Sequence, residues 1–82
     1  MAEAQKEHLL ERIELNPSVL AGKPIIRGMR LSVEQVLASL AAGVSLQELL
    51  EDYEGLTIED IQAALYYAVE LVSTERAYSL AI

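Results

Sequence analysis

The chain has 82 residues, a single histidine, no cysteine and a net charge of −7. A single domain of this length buries only about 60–65% of the surface its unfolded chain exposes, so a second copy or another partner is expected to complete the core. The missing cysteines exclude disulfides and cysteine-ligated zinc; with no signal-peptide pattern in Met1–Lys6 and no apolar run near the ~18 residues of a bilayer span, a cytoplasmic, membrane-free protein is expected.

Residues 1–11 read as an amino-terminal extension, in which Glu3 to Glu11 could form a short helix and His8 is a solvated surface residue. Arg12-Ile13-Glu14-Leu15 alternates like a strand, and Asn16-Pro17 ends it. Gly22 to Leu31 then sets two glycines and a proline around a short apolar core, the punctuation of a tight loop or hairpin. That loop carries Lys23, Arg27 and Arg30, and it dominates the charge distribution. Residues 1–30 hold five cations against four acids, whereas residues 31–82 hold only Arg76 against nine. Any contact with nucleic acid must therefore use the segment from Lys23 to Arg30.

Beyond the loop the chain repeats one local device three times. Ser32, Ser45 and Thr57 each place a hydroxyl at a helix N-cap, with Gln35, Glu48 and Asp60 three residues later. The first two are full capping boxes by residue type, and the third uses the shorter Asp. Hydrophobic staples flank the caps: Leu31 with Val36, Val44 with Leu49, Leu56 with Ile61. Gly43 and Gly55 stand where left-handed residues would end the first two helices. Helices are predicted near 33–42, 46–53 and 58–74. Their expected core faces are Val33, Val36, Leu37 and Leu40; then Leu46, Leu49, Leu50 and Tyr53; then Ile58, Ile61, Leu65, Ala68 and Val72. The third helix is apolar nearly all round, so Tyr66, Tyr67, Val69 and Leu71 lie off its main stripe. They predict a second buried face, against another chain or against the amino-terminal segment.

The chemistry-bearing residues are few. His8 has no nucleophile arranged with it, and Gly22-Lys23 is followed by proline rather than by a phosphate-cradling helix start. A metal site would have to be all-carboxylate, from Glu51, Asp52, Glu54, Glu59 and Asp60. Glu59 and Asp60 are better explained by the first-turn dipole, and the other three by a solvated helix end. No catalytic, cofactor or metal site is expected. Lys23, Arg27 and Arg30 suit phosphates or carboxylates; the alternative is that Arg27 and Arg30 pair with the acidic helices, for example near Glu34 or Glu54. The third helix would present Glu59 and Asp60 to a DNA groove, which makes it a poor reader of DNA.

Arg12 to Pro17, Gly22 to Arg30, Ala42-Gly43-Val44-Ser45, Leu50 to Tyr53 and Leu56 to Leu65 together resemble the DUF433 family across residues 12 to 72. Met29 stands where the family usually has threonine, and Glu54 where it usually has proline. The resemblance implies a mainly α fold, a tri-helical helix-turn-helix (homeodomain-like) bundle preceded by a short β-strand or hairpin. It spans 12–74 here, with a tail at 75–82. It also implies an antitoxin-like homodimer, often encoded beside a PIN-like nuclease toxin, that contacts operator DNA. Lys23, Arg27 and Arg30 would be the DNA contacts. Tyr66, Tyr67, Val69 and Leu71, with Arg76 and Tyr78 in the tail, would meet the second copy or the toxin. A stand-alone DNA-binding regulator and a pure protein-interaction module are the alternatives.

Overall fold

A computed structural model describes residues 3–75. The chain opens with helix α1 (Glu3–Leu10), followed by strands β1 (Ile13–Leu15) and β2 (Pro24–Ile26). Helices α2 (Val33–Ala41), α3 (Leu46–Asp52) and α4 (Ile58–Glu75) complete it. The architecture is mainly α, with a small hairpin leading into a three-helix bundle, as the residues predicted.

The strands pair antiparallel, with Ile13 opposite Ile26, Glu14 opposite Ile25 and Leu15 opposite Pro24. The Arg27 N–H donates to the Arg12 carbonyl at 2.7 Å, which carries the ladder one residue further and sets the two arginines side by side. Asn16 starts the connection between the strands, its side chain accepting from the Ser18 N–H as an Asx turn. A 3-10 turn at Leu20–Gly22 follows, in which Leu20 (φ 49°) and Ala21 (φ 57°) are both left-handed. After β2 the chain doubles back through a tight turn. Met29 N–H donates to the Ile26 carbonyl, Ile26 N–H to the Leu31 carbonyl, and Ser32 bridges Ile25. Gly28, at φ +79°, supplies the left-handed third residue that this turn requires.

The helix starts follow the caps. Ser32 accepts from the Gln35 N–H in a one-way cap, its backbone being bridged to Ile25. Ser45 with Glu48, and Thr57 with Asp60, form the two reciprocal boxes. Ser32 thus lacks the return bond expected from Gln35, whereas the shorter pair expected at Thr57 closes in both directions. The first stop is as predicted: Gly43 N–H bonds the Leu40 carbonyl and Val44 N–H the Ser39 carbonyl, a Schellman motif with Gly43 at φ +96°. The second is not. Helix α3 ends at Asp52 with Tyr53 extended, and Gly55 occupies a separate turn closed by the Leu56 N–H on the Tyr53 carbonyl.

Ile26, Leu31, Val33, Val36, Leu49, Leu56, Ile61 and Ala64 form the buried core, with Ile13, Met29, Leu37, Leu40, Val44, Leu50, Tyr53 and Tyr67 packed around it. All three staples feed this cluster. The expected stripe of α4 is corrected: Ile61 is buried, but Ile58, Leu65 and Val72 are exposed, as is Leu46 of α3. The helix instead turns Ile61, Ala64 and Tyr67 inward. Near-uniform apolarity leaves the period ambiguous, and packing on α2 and α1 selects the face. Helix α1 runs antiparallel to α4, since Lys6 meets Glu70 and Arg12 meets Asp60. Its Leu9 is buried, so the segment ahead of the hairpin is docked on the bundle.

Candidate functional site

The hairpin register divides the loop cations among three depressions, with Arg30 shared between two of them, the smaller of about 250 Å³ being lined also by Glu14, Asn16 and Met29. Lys23 and Arg30 line one of about 340 Å³, together with Leu20, Leu31, Ser32, Gln35 and Tyr53. Arg27 lines another of about 310 Å³, with His8, Glu11, Arg12 and Asp60. Sequence reasoning grouped Lys23, Arg27 and Arg30 by their nearness in the chain. The turn at residues 27–30 sends Arg27 away from the other two and toward Arg12.

Lys23 is paired, its Nζ lying 2.8 Å from Glu34 Oε1. That hydrogen bond first, and the ammonium charge second, hold the Glu34 carboxyl below its usual range. Among the described residues, the side chains of Arg27 and Arg30 make no hydrogen bond or ion pair, and both are exposed. The expected pairing near Glu34 thus belongs to Lys23, not to an arginine.

Arg12 was missed as a site residue. Its Nη1 donates to Asp60 Oδ1 at 3.1 Å, while Asp60 Oδ2 accepts from the Thr57 N–H. Asp60 is the first-turn cap partner that the sequence predicted, and in addition it is buried and carries an arginine partner. No local signal links positions so far apart in sequence. Only the strand-like alternation starting at Arg12 hinted that its side chain had a defined direction. Among the described residues, no group of three or more His, Asp or Glu is placed to hold a metal ion. None of the described helices is long and apolar enough to cross a membrane.

The second candidate surface is apolar. A groove of about 570 Å³ runs between α2 and the latter half of α4, lined by Val33, Leu37, Ala38, Tyr67, Leu71 and Val72 among others. Of the residues expected at an interface, Val69 and Leu71 are exposed. Tyr66 and Tyr67 are half-buried, and Tyr67 packs against the core while lining the groove. Arg76 and Tyr78 lie outside the described residues. Leu65 and Val72, expected inside, extend the exposed apolar surface instead.

Comparison with known proteins gives a consistent family. The profile described as a protein of unknown function (DUF433) matches residues 13–68. The uncharacterized protein y4eO of Sinorhizobium fredii is 41% identical over 58 residues, which cover 71% of this chain and 26% of that protein. This chain therefore spans about a quarter of that relative's length. The crystal structure of a DUF433 member protein from Anabaena variabilis matches with a TM-score of 0.68 at 30% identity, over 92% of this chain and 84% of the other.

Proposed function

The chain belongs to the DUF433 family, and on that premise we propose that it is a binding protein rather than an enzyme. In this reading it is an antitoxin-like module that pairs with a second copy, holds a PIN-like nuclease toxin and contacts operator DNA through its arginine loop. One observation supports this best: two surfaces of opposite character occur on one small domain. The groove between α2 and α4 offers apolar surface to a protein, and no arginine or lysine lines it. Arg27 and Arg30 offer guanidinium forks without a protein partner among the described residues, which suits phosphate. The PIN-like partner itself comes from the family resemblance.

Co-expression with the product of the adjacent gene is the test. A stable complex on a sizing column is expected, and two separately eluting proteins would remove the toxin-binding claim. A second reading, a stand-alone dimeric regulator, draws on the same unpaired arginines. It expects operator binding by the isolated protein, weakening steeply with salt and lost in the Arg27→Ala/Arg30→Ala double variant.

A further inference from the structure

We propose that the depression formed by Lys23, Arg30, Gln35 and Tyr53 is a binding site for a phosphorylated molecule carrying a flat ring, of which a nucleoside monophosphate is the simplest. The inference rests on the reading of Lys23 and Arg30 as anion contacts, and adds the class of ligand. The protein carries a net charge of −7, yet no carboxylate lines this depression. Two of its seven lining residues are cations. An anion there meets attraction from both cations of its walls, opposed most closely by the Glu34 carboxylate that lies 2.8 Å from Lys23 Nζ.

The parts are differentiated. Arg30 brings a planar fork of donors that no protein acceptor occupies among the described residues. Lys23 brings a point charge already drawn toward Glu34, which does not itself line the depression. Gln35 stands in the first turn of α2, where the helix dipole also favours negative charge. The remaining wall is Leu20, Leu31 and Tyr53. Tyr53 packs against the core, so its ring is held in place and offers a surface of the kind on which bases stack. Leu20 reaches this wall from a left-handed backbone conformation that costs a non-glycine residue energy, and such strain recurs at ligand clamps. A volume of about 340 Å³ falls at the small end of ligand pockets.

The site thus suits one phosphate with one ring. The source could be a free nucleotide or the phosphorylated end of a nucleic-acid strand. The full chain would be titrated with adenosine 5′-monophosphate, ribose 5-phosphate, a 5′-phosphorylated single strand and an unphosphorylated blunt duplex, reading amide shifts at residues 20–35 and 53. Saturable shifts with the monophosphate are expected, at least about ten-fold stronger than with ribose 5-phosphate, since the ring adds stacking. Arg30→Ala should weaken monophosphate binding by about ten-fold or more with unchanged thermal stability, as loss of a charge-assisted contact at an exposed residue would. Glu34→Gln, which releases Lys23, should strengthen it. Tighter binding of the phosphorylated strand than of the monophosphate would assign the ligand to strand ends, and equal binding to free nucleotides. Absence of saturation by both, or equal affinity for ribose 5-phosphate, would overturn the proposal. Duplex binding without monophosphate binding would do so too while leaving the operator reading intact, and the converse result would remove the operator reading alone.

Discussion

Asp60 divides its two carboxylate oxygens between tasks, one closing the cap of α4 and the other receiving Arg12 from the start of the hairpin. A buried acceptor with two donors is costly to remove, because both donors lose their partner at once. Asp60→Ala should lower unfolding stability by about 2 kcal/mol, read from urea denaturation. The figure stays modest because Arg12 is 38% exposed and water can take over its donors. A double-mutant cycle with Arg12→Ala should show coupling between the two, and strict additivity would mean that the ion pair contributes nothing. Glu34 shows a weaker version of the same physics on the surface. Lys23 depresses its pKa below 4.5. The associated stabilisation is present above that pH and is lost as pH falls through the lowered value. Lys23→Ala should return the Glu34 titration to about the ordinary value, as followed by carboxyl NMR.

At the scale of elements, the strongest local device is the Schellman stop after α2. A Cβ at position 43 would meet nothing within 4 Å, so the cost of Gly43→Ala is conformational and not steric crowding. At φ +96° that cost should be about 1 kcal/mol, visible as a lower urea midpoint with unchanged slope. Ala21 presents the reverse case. It holds a left-handed conformation with a Cβ, and Ala21→Gly should raise the unfolding free energy by up to about 1 kcal/mol, visible as a slightly higher urea midpoint. These devices were legible because each is closed by bonds between residues three to five apart. Ser45 with Glu48, Thr57 with Asp60, and Gly43 with its helix end need no distant neighbour. The failures were also local in form. Gly55 looked like a helix stop, but α3 had already ended at Asp52, and the glycine serves the next turn.

For the whole molecule, the question is how a thin domain covers its apolar residues. Helix α1 covers part of α4 through Leu9, one of the two alternatives that the all-round apolar helix left open. Leu65, Val69, Leu71 and Val72 remain exposed, beside the apolar groove. If a second copy covers this surface, Val69→Glu/Val72→Glu should convert a dimer to a folded monomer, by light scattering coupled to a sizing column with an unchanged helical spectrum. A wild type that is already monomeric at tens of micromolar would exclude a second copy from this surface.

The sequence alone determined the hairpin, the three helix starts and the separation of positive from negative charge. Caps, turns and composition are short-range properties, satisfied within a few residues of where they are written. Only the tertiary structure decided which face of α4 turns inward, since its apolar residues surround the axis and the neighbours choose among them. It also decided which cations stand together. Arg12 and Asp60 are 48 positions apart. Arg27 was separated from Lys23 and Arg30 by a strand register and a single turn, neither of which charge counting could reveal.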